Sequence, residues 1–212
     1  TIKKEPSIIG MPTGNSKGIY YPLGRDIAAL AETTGLKIDV KTSSGSLDNI
    51  RRMASNENAG LAIVQSDIIE FLVNNPSKTN QSIIDNLRSV FSLYNEEIHL
   101  LAHKEIKTLQ DLNNKRVIVG ELGSGTPITA NIVFDKIGVD IEAITGITPD
   151  KALKQFLMGE VDAIFFVGGK PISYINRLLE MKNDENLRKY TADIHLIPLD
   201  DERLYDTYTK AN

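Results

Sequence analysis

The chain of 212 residues contains no cysteine, which removes disulfides, zinc–thiolate sites and cysteine nucleophiles together. Histidine is nearly as scarce, with only three, at positions 99, 103 and 195. His99 and His103 lie in IHLLAHK, which alternates as a strand does, so the pair reads as structural and not as the start of a metal site. No apolar run approaches the roughly 18–20 residues of a membrane span. A basic excess is missing too. With 24 Lys+Arg against 28 Asp+Glu the net charge is -4, and the electrostatic footprint of a nucleic-acid binder is absent. What remains is ordinary for a globular chain: 41% hydrophobic, 25% charged, 15 Gly and 8 Pro. The start, TIKKEPS, has no Met and no apolar h-region, so a processed start is expected, with any signal peptide already removed.

Apolar runs and helical patterns alternate along the chain. The pattern predicts a strand at Ser7–Met11 and a helix from about Leu23, with Ile27, Leu30 and Ala31 on its inner face and Gly35 stopping it. A strand at Leu36–Thr42 precedes a helix carrying Leu47, Ile50 and Met53. Leu61–Val64 reads as a buried strand, with Ser66 or Asp67 capping the helix behind it. Strands are then expected in SVFSLY and IHLLAHK, a brief helix in TLQDLNNK, a strand at VIVG and a helix at Ile128–Ile137. Farther on come a strand near Glu142–Thr145, a helix with Thr148 as cap and Pro149 at its first position, and the buried strand VDAIFFV, broken by Gly168, Gly169 and Pro171. A helix over about Ile172–Met181 and a last strand IHLIPL close the order. Strands separated by helices at this spacing imply βαβ crossovers, hence an α/β fold with mainly parallel sheets and helices on both faces. The series divides in two. We expect a first lobe over 1–100, joined by 200–212, and a second over 101–199, in preference to one doubly wound sheet.

Three loops share one chemistry in one position: GMPTGNSKG, TSSGSLDN and GELGSGT each follow a strand and open a helix. In an open parallel sheet that point lies at the carboxyl edge, where ligands bind. Glycine permits close backbone approach, hydroxyls donate, and the first-turn amides of a helix attract an anion without Arg or Lys. Sharper motifs fail. GNSKG does not meet the P-loop spacing, GELGSG reverses the dinucleotide order, and GSGT lacks the nucleophile elbow. No carboxylate pair is marked for acid–base work. Tyr20, Tyr21, Gln65, Asp67 and Tyr94 fall beside the glycine loops, where they suit a small zwitterion. Asp67 would meet an ammonium, Gln65 would bridge, and the tyrosines would cover apolar carbon.

These segments resemble a known family. GNSKGIYYPLG followed by RDIAALAE is similar to the opening of TAXI-type solute receptors of TRAP transporters. SGSLDNIRRM, LAIVQSD, SVFSLYNEEIHLLAH, KRVIVGELGSGTPITA and VDAIFFVGGKP follow in the family's order, from about Ile8 to Asp200. The resemblance implies a two-lobed, periplasmic-binding-protein-like fold and an extracytoplasmic protein that takes up a small anionic solute, an amino acid such as glutamate or an organic acid. The solute would sit in an interlobe cleft and pass to a membrane-embedded TRAP permease. No catalytic residue, metal or cofactor is expected, and no nucleic-acid partner. Carried over by motif, ligand-binding positions are Thr13, Gly14, Gly18, Ile19 and Tyr20, then Ser44, Gly45 and Ser46, then Gln65 and Asp67. Ser124, Gly125, Thr126 and Thr129 would face them, with Phe166 and Val167 behind. The first loop departs from the family in having Lys17 where paired glycines are more usual. The family also continues past the last strand to return to the first lobe, so a shortened C-terminus is expected here. Rival readings are an enzyme handling a phosphate-bearing substrate, with Glu121 or Asp67 as base, and a solute-sensing receptor.

Overall fold

A computed structural model describes residues 8–55, 57–170 and 172–208. The chain divides into two compact units. One reaches to Tyr94 and includes the tripeptide Gly123–Gly125; the other comprises Asn95–Leu122 and continues from Thr126.

In the first unit, β1 (Ile8–Pro12) pairs in parallel with β2 (Lys37–Lys41), Ile8 opposite Lys37 and Pro12 opposite Lys41. The expected strand residue Ser7 lies outside the described residues. Between the strands runs α1 (Tyr20–Glu32), whose buried residue is Gly24. A Cβ there would meet Thr13 Cγ2 at 2.7 Å and Val40 Cγ1 at 3.2 Å, so glycine lets the helix lie against the strands. That choice corrects the expected inner face. At 100° per residue Ile27, Ala28 and Ala31 turn with Gly24, while Leu30 lies well to the side and is 72% exposed. Thr33 and Thr34 donate their hydroxyls back to Leu30 O and Ala31 O, both at 2.7 Å, and Gly35 at φ +84 turns the chain into β2.

Next come α2 (Ser46–Ala54), α3 (Ser66–Asn74) and α4 (Lys78–Asn86). Ile50 of α2 and Ile68 and Leu72 of α3 are buried, α4 buries no residue fully, and Ser77 caps α4 by accepting from Asn80 N at 3.0 Å. Neither Ser66 nor Asp67 caps α3; both are helical, and Gln65 holds the cap position. The strands expected at Leu61–Val64 and in SVFSLY are not formed. A strand needs a ladder, and here Gly60 N and Leu61 N both donate to the one carbonyl of Gly10, at 2.9 and 3.3 Å, instead of stepping along a neighbouring strand. Val90 and Phe91 of the second are exposed.

The second unit is built on β3 (Glu97–His103), β4 (Arg116–Ile118), α5 (Thr126–Ile137), β5 (Glu142–Ile144), α6 (Pro149–Leu157), β6 (Ala163–Gly168), α7 (Ser173–Asn183), β7 (Ile194–Leu196) and α8 (Glu202–Tyr208). A five-stranded sheet has the order β5-β4-β6-β3-β7. β4 is parallel to β5 and β6, whereas β3 runs antiparallel to β6 and β7. The sheet is therefore mixed. Alternating residues feed two apolar layers, as the pleat requires. Leu100, Val117, Ala163 and Phe165 meet Val133 and Phe134 of α5 and Leu204 of α8 on one face. Leu101, Ile118, Ile164 and Phe166 meet Leu153 and Phe156 of α6 and Leu178 of α7 on the other.

Two expected boundaries move. The division falls after Tyr94, not at residue 100, because Glu97 onward is sheet-paired to β6. The terminal segment belongs with the second unit and not the first, because Leu204 is buried in that unit's apolar layer; residues 209–212 and Pro171 lie outside the described residues. Among the described residues no helix is long and apolar enough to cross a membrane.

Candidate functional site

The ends of β1 and β2 fix the site in the first unit. Thr13 is fully buried; its N–H and its hydroxyl both donate to Lys41 O, at 3.0 and 2.8 Å. Its side chain therefore ties the two strand ends together and does not offer a donor outward. Beyond it the chain makes a tight exposed turn in which Asn15 Oδ1 accepts from Lys17 N at 3.0 Å and Asn15 O from Gly18 N at 2.9 Å. Gly14 is buried, Gly18 is exposed in this turn, and Ile19 and Tyr20 are half-buried where α1 begins.

The loop after β2 is organised by α2. Ser43 Oγ donates to Asn49 Oδ1 at 2.6 Å and accepts from Gly45 N at 3.1 Å. Asn49, fully buried, donates through Nδ2 to Thr13 O at 2.6 Å and Ile63 O at 2.7 Å. One amide thus gathers the first loop, the second loop and the approach to α3. Sequence reasoning missed it; the available signal was an Asn in the first turn of a helix that follows a Ser-rich loop. Ser46, also buried, accepts from Gln65 N at 3.0 Å, and its hydroxyl lies 3.5 Å from Gln65 Oε1.

Gly123–Gly125 completes this cluster. Gly123 O accepts from Asp48 N at 2.9 Å. A Cβ on Gly123 would stand 2.9 Å from Ser44 Cβ, and one on Gly45 3.1 Å from Ser124 Cα; both glycines also have positive φ, +89 and +118. A Cβ on Gly125 would fall 1.9 Å from Gln65 Oε1, an overlap with no room for relief short of moving Gln65. The structure thus brings together Gly14, Ser44, Gly45, Ser46, Gln65, Ser124 and Gly125. Asp67 is half-buried in the first turn of α3, while Tyr21 of α1 and Tyr94, where the unit ends, are half-buried as well.

The electrostatics differ from a bare anion cradle. Ser44 N donates to Asp48 Oδ2 at 3.0 Å, and Asp48 is gripped by Arg52 through contacts of 2.9 and 3.1 Å. Three amides around the start of α2, those of Ser44, Gly45 and Asp48, are engaged within the protein, and the negative charge favoured at a helix start is supplied by Asp48 itself. What the cluster presents is hydroxyl and carboxamide chemistry shaped by glycine.

The remaining expected positions belong to the second unit. Thr126 opens α5 and is half-buried; Thr129 is buried in the same helix. Phe166, nearly buried, stacks on His99 with ring centres 5.3 Å apart, and Val167, opposite Ile98 in the sheet, packs on the apolar layer of α5. Burial raises the Glu121 carboxyl above its usual range. His103 Nε2 lies 2.9 Å from Phe156 O, its ring against Phe156, so the His pair has structural neighbours.

Two α/β units of this build define the two-lobed, periplasmic-binding-protein-like fold. The ligand-binding core of GluR0 in complex with L-glutamate matches at a TM-score of 0.58 and 15% identity, over 93% of this chain and 81% of that one. An ancestral arginine-binding protein bound to arginine matches at 0.55 and 16%, over 92% and 79%. The substrate-binding protein of an amino acid ABC transporter matches at 0.55 and 14%, over 91% and 78%. The particular family is shown by sequence: the NMT1-like family matches residues 11–211, and the chain belongs to it.

Proposed function

We propose that the protein is an extracytoplasmic solute receptor of the TAXI type, which captures a small anionic metabolite, an amino acid such as glutamate or an organic acid, and hands it to a TRAP permease. The observation that carries this reading is the meeting of Gln65, Ser46, Ser44 and the Gly123–Gly125 tripeptide at the strand ends, with glycine at each point of closest approach. Family membership and a fold shared with amino-acid-binding proteins support it. Ser44 and Ser124 donate hydroxyls to the carboxylate, Gln65 bridges, Asp67 receives an ammonium and Tyr20 covers the carbon chain. The role is binding and release, in which the ligand shifts a conformational population by its differential affinity.

A melting screen over amino acids and dicarboxylates tests this. A ligand present at about 100 times its Kd stabilises the protein by about 2.7 kcal/mol. Gly125→Ala, which drives a methyl into Gln65, is expected to abolish the shift while the ligand-free melting point stays close to that of the parent. Asp67→Ala weakens glutamate more than a plain dicarboxylate. A screen in which no amino acid or organic acid moves the melting point refutes the receptor.

A further inference from the structure

Within the second unit, where β6 gives way to α7, His99, Lys170, Ile172, Ile175 and Asn176 line a groove of about 440 Å³. Its chemistry is mixed in an ordered way. His99 and Phe166 are directly opposed across β3 and β6 and lie nearly parallel, 9° apart, so one wall ends in an imidazole already carried on a phenyl ring. Glu97 holds that imidazole: its Oε2 lies 3.5 Å from His99 Nε2 and its backbone O 3.3 Å from Nδ1. Ile172 and Ile175 are part-buried against the apolar layer of α6 and α7 and supply hydrocarbon. At the rim Lys170 is 73% exposed; its ammonium contacts Glu97 Oε1 at 2.6 Å, and with three protons it has donors left for another acceptor. Asn176 adds an exposed carboxamide.

We propose that this groove is a second small-molecule site, one that takes a planar aromatic carboxylate. The ring extends the stack on His99 and lies over Ile172 and Ile175, as offset aromatic packing favours. The carboxylate reaches Lys170 Nζ and the Asn176 amide. Glu97 offsets most of the Lys170 charge, so the interaction draws on stacking and apolar cover more than on long-range attraction, and its salt dependence is small. The site lies wholly in the second unit and does not depend on the receptor reading above.

Benzoate is the probe, and the three histidines give few enough imidazole signals to follow singly. Benzoate is expected to move the His99 ring resonances saturably, with a Kd of about 1 mM, and to leave those of His103 and His195 in place. Cyclohexanecarboxylate, with the same charge and no π face, binds at least about fivefold more weakly, as does benzyl alcohol, which lacks the charge. Lys170→Met lowers benzoate affinity severalfold and Lys170→Arg restores it. Saturating glutamate leaves the benzoate titration unchanged. Unmoved His99 signals, equal affinity for the three probes, or displacement of benzoate by glutamate each overturn the site, whether or not the melting screen finds a solute.

Discussion

The second unit wraps a five-stranded sheet in two apolar layers, whereas the first has a two-stranded sheet and, among the described residues, few fully buried apolar side chains: Met11, Ile50, Ile63, Ile68 and Leu72. What the first unit has in place of a broad core is a set of polar pins: Thr13 on Lys41 O, Ser46 on Gln65 N, and Asn49 on two carbonyls. The difference shows two ways of holding a chain. One relies on area removed from water; the other relies on buried hydrogen bonds whose loss leaves unsatisfied carbonyls. Local opening follows the least buried contacts, so the loops held by these pins are expected to open before the apolar layers do.

Truncation tests the contrast most severely. Phe156→Ala, at a fully buried ring between sheet and helix, is expected to lower stability by roughly 3–5 kcal/mol, while Leu30→Ala on α1 stays within about 0.5 kcal/mol. Urea unfolding measures both, and equal losses would erase the distinction. Asn49→Ala comes next. It strands Thr13 O and Ile63 O and is expected to cost roughly 2–4 kcal/mol, confined in calorimetry to the transition of the first unit. A cost as small as that of a surface Asn would mean the pins do not support the loops. The smallest effect is at the start of α8. Arg203 donates to both oxygens of Asp201 and holds its carboxyl down at about 2. A depressed carboxyl lends stability above its ordinary range and withdraws it as pH falls through about 2. The Asp201 side-chain carbon in an NMR titration is expected to show that midpoint, and Arg203→Gln to raise it.

Much of the fold was legible because periodicity and punctuation agree in the second unit. Gly138, at positive φ, follows α5 where its expected end at Ile137 falls, and Pro149 opens α6 as expected. The apolar run AIFFV within VDAIFFV correctly marked a strand covered on both faces. The failures are physical as well. Leu61–Val64 carries strand composition, but composition supplies no neighbour to bond with. Leu30 fits a helical apolar stripe, yet the helix turns its small residues inward, a choice made by the partner surface at Thr13 and Val40. Nor does a sequence state strand direction, so the reversal of β3 was not readable. Around the candidate site the glycines were visible as a pattern, but their reason was not. Gly125 answers to Gln65 in this structure, and Asp48 fills a role expected of a solute.

The reversed strand β3 has a consequence in time. It is the first strand of its sheet to leave a ribosome, yet Leu101 waits for Ile164 on one side and for Leu196 on the other. Until β6 emerges, and β7 after it, this strand has no partner in its sheet, and its apolar flanks stay open to any holdase that meets the nascent polypeptide.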